Sequence, residues 1–207
     1  MTQDVGLIGD VVGSRTSPDR AELQRRLVAS LATVSDRSGG QLAMTLGDEF
    51  QGRYPDLEAA ISASLLLHLS LLGVARLRIG IGRGALAVED AAASPFGQDG
   101  PVWWRAREAV ELLASAGDRG RTQVNTGTEW DELINAYLRM RDEVVSGFDQ
   151  TDALICLGLL AGMTQKALAS EVGLNQSSVS RRVNSHGLAA LVTTAELRVG
   201  PLGDPDE

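Results

Sequence analysis

A single cysteine, Cys156, excludes an intramolecular disulfide and a cysteine-rich zinc site. It stands in the apolar run ALICLGLLAG and reads as a small core residue. Histidine is almost as scarce. His68 and His186 are the only two, and neither has a second histidine at ligand spacing, so any metal chemistry must use oxygen ligands. No apolar run approaches the ~20 residues that span a bilayer. The opening MTQDVGLIGDVVGSR has neither a basic leader nor a small-residue cleavage site, so a cytoplasmic protein with no membrane partner is expected. Basic residues are outnumbered, 19 Lys and Arg against 27 Asp and Glu, and the net charge of −8 excludes non-specific coating of nucleic acid. A small DNA-reading element with a local basic face remains compatible with that balance.

What is present divides near residue 147. Before it, VGLIGD (Val5–Asp10) reads as a strand. Ser17 and Pro18 then suit the cap and first position of a helix carrying Leu23, Leu27 and Leu31, which Ser38-Gly39-Gly40 stops. Residues 41–46 and 50–54 read as two strands around the turn Gly47-Asp48-Glu49. An apolar helix follows to Leu72, then a strand over 75–81 that Arg83–Val88 continues or pairs with. This order, strand-helix-strand-strand-helix-strand, predicts an α+β, ferredoxin-like domain with two helices on one face of an antiparallel sheet. Residues 94–100 read as a loop, residues 101–116 as a helix, 122–125 as an extra strand and 129–145 as another helix. Residues 148–200 show short helices without strand signals, and 201–207 form an acidic, disordered tail.

In the predicted sheet, Asp10 ends the first strand and Asp48 sits at the adjoining hairpin turn. Two carboxylates brought together repel unless a cation neutralises them. Magnesium or manganese suits such oxygen ligands, with the Val11 carbonyl as a further one. Glu49 points to the opposite face if the chain there is extended, and joins the ligands if the turn is irregular. Gly82 and Gly84 read as a strand bend, or as points where backbone approaches a ligand. Arg15 and Arg20 either face phosphates or stay in solvent. Trp103 and Trp104 either stack on a base or pack in the core. Arg105 and Arg107 lie two apart on a helix and cannot share a face.

IGDVVGSR and TLGDEF resemble the two metal-binding motifs of class III nucleotidyl cyclases, and the second also resembles the diguanylate cyclase signature. RIGIGRG is similar to the strand that follows in both families, and DGPVWWRAR to the start of the cyclase helix that carries a transition-state arginine. The set IGDVVGSR, TLGDEFQG, GIGRG and GQDGPVWWRARE resembles the SatD family over nearly the whole chain. The resemblance implies a palm-like domain (1–147) that takes a nucleoside triphosphate with magnesium or manganese. It assigns Asp10 and Asp48 to the metal, with Glu49 beside them, and Arg107 to the transferring phosphoryl group. Val11, Arg15, Gly47 and Trp103 are the other candidates to touch the nucleotide. Met44 stands where purine-selecting cyclases carry a lysine, and Trp103 where the helix asparagine falls.

QKALASEVGLNQSSVSRRVN, residues 165–184, has helix-turn-helix spacing. Ala169 is small where two helices would cross, and Gly173 supplies the left-handed residue between them. Leu168, Val172, Leu174, Val179 and Val183 form the apolar side, and Asn175 caps the second helix. Gln176, Ser177, Ser178, Ser180, Arg181 and Arg182 remain as a polar face for base edges and phosphates of double-stranded DNA. One unit with so few basic residues binds weakly, so a homodimer on two half-sites is expected. The leading reading is a DNA-binding regulator whose palm-like domain binds a metal-nucleotide. The alternative is a two-metal nucleotidyl cyclase or nucleotidyltransferase with an accessory helix-turn-helix, and a purely structural adaptor is a third.

Overall fold

The computed structural model describes residues 3–88, 98–117 and 121–195. Strand β1 (Asp4–Val11) is the centre of a sheet that also contains β2 (Gln41–Met44), β3 (Glu49–Tyr54), β4 (Leu77–Gly84) and β7 (Thr122–Asn125). The strand order is β2-β3-β1-β4-β7. β1 runs antiparallel to both β3 and β4, and β7 lies parallel to β4 at one edge. With α1 (Arg20–Ser38) and α2 (Leu57–Ser70) connecting them, the first four of these strands reproduce the predicted ferredoxin-like order. The fold is α+β, as the residue pattern indicated.

Alternation along β1 decides what each face carries. Val5, Leu7 and Val11 turn to one side with Leu77, Ile79 and Ile81, where they pack against Leu23, Leu27 and Leu31 of α1 and Leu66 and Leu67 of α2. Ile8 turns the other way, against Val102, Trp103, Ala106 and Val110 of α3 (Pro101–Ser115). Helices therefore cover both faces, where only one covered face was expected. Glycine makes the second layer possible. A Cβ on Gly82 would lie 2.2 Å from the Val102 carbonyl oxygen, and one on Gly80 2.3 Å from that of Ala106. These strand glycines serve helix packing rather than a bend or a ligand approach.

Other boundaries moved for local reasons. The cap of α1 is Asp19, whose carboxylate accepts from the Glu22 amide at 2.9 Å, and Ser17 instead closes the short 3₁₀ turn Ser14–Thr16. β5 (Ala87–Val88) does not extend β4; it pairs with β6 (Gln98–Asp99), inside the segment expected to be loop. Most of that expected loop lies outside the described residues, as do the tail and the last residues of the expected helical part.

Helix α4 (Asp131–Ser146) returns to the first face, burying Ile134 and Leu138. Its Arg141 is buried and well bonded: to Asp142 at 2.7 Å, to the Ser64 hydroxyl at 2.9 Å and to the Thr122 hydroxyl at 2.6 Å. His68 Nε2 meets the same Thr122 hydroxyl at 3.0 Å. This network ties α2, α4 and edge strand β7 together, and a buried arginine persists only with such partners.

The remaining helices are α5 (Gln150–Leu160), α6 (Gln165–Glu171), α7 (Gln176–Ser185) and α8 (Leu188–Thr194). Their core contains Ile155, Cys156, Leu168, Ala169, Val179, Val183 and Leu188, together with Leu65 and Leu69 from α2. Helix α2 thus belongs to two apolar clusters at once, which is why it is apolar almost all round. No helix among the described residues is long and apolar enough to cross a membrane.

Candidate functional site

The sheet face under α3 carries the charged residues. Asp10 is the register partner of Glu49 on β3 and of Arg78 on β4. Its Oδ1 accepts from Arg78 Nε at 2.9 Å. Glu49 is held by α3: Arg107 donates from Nη1 and Nη2 to its two carboxylate oxygens at 2.6 and 2.7 Å. That forked hydrogen bond keeps the Glu49 carboxyl below its ordinary value, against the opposing effect of burial. The same bond raises the Arg107 guanidinium, and the nearby charges of Glu49, Glu111 and Asp10 act in the same direction.

Asp48 is placed differently. It follows Gly47, whose φ of +71° makes the turn, and its carboxylate accepts a short hydrogen bond from the Ser14 hydroxyl. It borders a small recess with Val11, Leu23, Leu27 and Met44, on the α1 side of the sheet. The expected neighbours Asp10 and Asp48 are therefore bonded to different partners on different sides. Glu49 is the acid beside Asp10, because β3 begins at Glu49 and strand alternation starts there. Glu49 does face away from Asp48, as an extended chain requires; what is corrected is the partner of Asp10, which is Glu49 and not Asp48.

As placed, these acids do not form a closed ligand cage, and no group of three or more His, Cys, Asp or Glu among the described residues could hold a metal. Two carboxylates on adjoining strands still match the donor set of magnesium, which takes one or two carboxylates and fills its other positions with water and phosphate. Asp10 and Glu49 would hold such an ion once their arginines turned away.

Beside the pair lies a cleft of about 380 Å³ lined by Ile8, Gln51, Trp103, Trp104, Arg107 and Glu111, among others. Trp103 is only 7% exposed and packs on Gly6. Its indole Nε1 is buried and has no hydrogen-bond partner among the described residues, an arrangement that disfavours a closed core. Trp104 is 61% exposed, and its Nε1 donates to Asp99 at 2.8 Å. Packing and exposure are thus divided between the two rings. Arg105 turns away and donates to the Arg83 carbonyl at 2.8 Å, which leaves Arg107 as the site-facing member of that pair. Arg15 is exposed in the 3₁₀ turn. Arg78 was not singled out from the sequence. The signal that finds it is register: in an antiparallel pairing of 4–11 with 77–84, position 78 falls opposite Asp10.

In the C-terminal part, Gly173 has φ +69° between α6 and α7, and the Asn175 side chain accepts from the Ser178 amide at 2.8 Å. Gln176, Ser177 and Arg181 are exposed, and Ser178 and Ser180 are half-buried. Leu174, expected on the apolar side, is 36% exposed. Arg182 does not project freely from the polar face. It donates to Asp149 at 2.9 Å and to Asp152 at 2.8 Å, at the start of α5. Asp152 is 2% exposed and also meets His186 Nδ1. A buried acid needs such partners, so Arg182 holds α7 against α5.

The chain is an α+β protein: a ferredoxin-like sheet layered by helices on both faces, with an acid–arginine cluster beside a tryptophan-lined cleft and four helices following. It belongs to the SatD family, whose model matches residues 4–198. No curated protein matches it. Among solved structures it is similar to a bacterial light-regulated adenylyl cyclase, at 15% identity and a TM-score of 0.49 over 65% of this chain and 80% of that one. It is also similar to an adenylate/guanylate cyclase/hydrolase from Silicibacter pomeroyi, at 20% identity and a TM-score of 0.44 over 53% and 69% of the two chains. A third similar structure is the adenylyl cyclase CyaB from P. aeruginosa, at 17% identity and a TM-score of 0.43 over 55% and 71%.

Proposed function

We propose that the protein is a DNA-binding regulator whose sheet domain binds a nucleoside triphosphate together with magnesium or manganese. The observation that carries the nucleotide half is the placement of Asp10, Glu49, Arg78 and Arg107 on one sheet face, beside a cleft that includes Trp103 and Trp104. Acids supply the chemistry for a cation, arginines for phosphates, and an exposed indole for a base. Met44 and Trp103, at positions where nucleotidyl cyclases carry recognition groups, favour binding over turnover.

The DNA half rests on α6 and α7. Gly173 and the Asn175 cap set the approach of α7, and Gln176, Ser177 and Arg181 stand exposed on it, with Ser178 and Ser180 half-exposed. In this reading α7 reads the major groove of duplex DNA within a homodimer. Helix α2 offers a route between the halves, because its Leu66 and Leu67 pack under the sheet and its Leu65 and Leu69 pack under the C-terminal helices. Calorimetric titration with each nucleoside triphosphate and magnesium is the test, followed by DNA retardation with and without the nucleotide that binds. Heat with at least one triphosphate supports the sensor role, and no heat with any of them removes it.

The enzymatic reading, a nucleotidyl cyclase or nucleotidyltransferase, draws on the reach of Arg107 to the acid pair. Incubation of each triphosphate with magnesium or manganese, followed by mass analysis, separates it from binding. A new product that is lost in Asp10→Asn and Glu49→Gln variants would favour catalysis.

A further inference from the structure

Asp10–Arg78 and Glu49–Arg107 form two complete ion pairs set side by side, at 2.9 Å and 2.6 Å. In this arrangement each of these four groups, two acids suited to a metal and two arginines suited to a polyphosphate, is already engaged by another. A cation arriving alone must draw Asp10 and Glu49 from their arginines and leave two positive charges uncompensated beside it. A polyphosphate arriving alone must draw Arg78 and Arg107 away, and then meets the released acids and Glu111, which lines the same cleft. When both arrive together, the acids turn to the cation and the arginines to the phosphates, and no charge is stranded. We propose that these two ion pairs make the binding of a divalent cation and of a polyphosphate mutually dependent, each poorly admitted without the other.

Among the described residues the buried N–H of Trp103, on the wall of the adjoining cleft, has no hydrogen-bond partner, an independent sign that the site is finished by a ligand. The four side chains are between 24% and 41% exposed, so re-pairing needs side-chain rotation near the surface rather than opening of the core. Thermodynamic linkage makes the effect reciprocal: the factor by which the cation strengthens the polyphosphate equals the factor by which the polyphosphate strengthens the cation.

This inference rests on the metal-nucleotide reading above, and the two can fail separately. The experiment is calorimetry on the full chain with magnesium alone, with inorganic tripolyphosphate in EDTA, and with the two combined. For the parent protein the combined titration is expected to give affinity about tenfold or more above either alone. Glu49→Gln frees Arg107 and is expected to raise tripolyphosphate affinity in EDTA by about tenfold. Arg107→Gln frees Glu49 and is expected to raise the affinity for magnesium alone. Asp10→Asn and Arg78→Gln repeat the two tests through the other pair, should a Glu49 or Arg107 variant not fold. Equal affinities with and without the second component, or a loss of metal-free tripolyphosphate affinity in Glu49→Gln, would overturn the coupling and leave the binding reading standing. No binding by the parent under any of the three conditions overturns both.

Discussion

Asp10 and Glu49 are direct cross-strand partners on β1 and β3, yet each carboxylate is bonded to a different arginine on a different element. Like charges opposite one another destabilise a sheet. Arg78 on β4 and Arg107 on α3 offset that repulsion, and Arg107 also fastens α3 to the strand beneath it.

Replacing Arg107 with Gln is therefore expected to lower stability by about 1 kcal/mol at neutral pH, a modest value because both partners are part exposed. The sign with pH follows from Glu49, whose carboxyl lies below its ordinary 4.5 in the folded protein. The pair's contribution is complete above 4.5 and is lost as pH falls through the lowered Glu49 value. Urea unfolding of parent and variant should differ at pH 7 and converge in acid. An undiminished difference in acid would show that Arg107 acts through packing.

His68 yields a pH dependence of its own. Burial lowers it from 6.5 to about 4, with Arg141 and Arg121 acting in the same direction and Asp142 opposing. The unfolded chain thus binds a proton that the folded protein refuses, so the stability contributed by neutral His68 is full above pH 6.5 and declines from there towards pH 4. Between pH 7 and pH 5 the parent should lose on the order of 2 kcal/mol more than a His68→Gln variant. Parallel pH profiles for the two proteins would show that the histidine is not held neutral.

Gly82→Ala tests the second helical layer. Its Cβ would sit 2.2 Å from the Val102 carbonyl oxygen and 2.4 Å from the Ala106 nitrogen, both backbone atoms of α3. Neither can rotate aside, so α3 must lift. Destabilisation of about 2–3 kcal/mol is expected, with a change in tryptophan fluorescence as Trp103 loses its seat on Gly6. Unchanged stability and emission would mean that α3 does not lie against this strand.

Much of the sheet was legible because apolar residues alternate in β1 and β4 and repeat at helical spacing in α1. What could not be read was anything decided by pairing register. Arg78 has no local signal; only alignment of β1 with β4 sets it beside Asp10. TLGDEF leaves open which of Asp48 and Glu49 shares a face with Asp10, and the exact residue at which β3 starts sorts them to different sides of the sheet. Gly82 reads as a bend or a point of ligand approach, and Gly80 carries no reading at all, because nothing near them in the chain announces that α3 will cross them. The Arg141 network was equally hidden, since its partners Ser64 and Thr122 come from distant elements.

Cys156 is expected to be inert in the folded protein. Burial pushes its thiol up to about 12, and the neighbouring Asp152 charge adds to the shift. The thiolate is the reactive form, so a disulfide reagent should label it only on unfolding, at a rate that tracks urea concentration. Rapid labelling in native buffer would show that α5 opens locally.

Arg181 and Arg182 are adjacent in sequence and are expected to behave as different kinds of residue. Arg182 donates to Asp149 and to the buried Asp152, whereas Arg181 is exposed on α7. Removing Arg182 leaves Asp152 with His186 as its one remaining side-chain partner of basic character among the described residues. Arg182→Ala should therefore lower the free energy of unfolding by about 1–3 kcal/mol, because a nearly buried carboxylate loses a charged hydrogen bond. Arg181→Ala should leave stability within about 0.5 kcal/mol. On a duplex that the parent protein selects from a random-sequence pool, the order is expected to reverse. Loss of Arg181 should weaken retention and reduce the dependence of log affinity on log salt by roughly one unit, as expected for a lost phosphate contact. If Arg181→Ala binds duplex DNA with unchanged affinity and salt slope, α7 does not meet the phosphate backbone through that face.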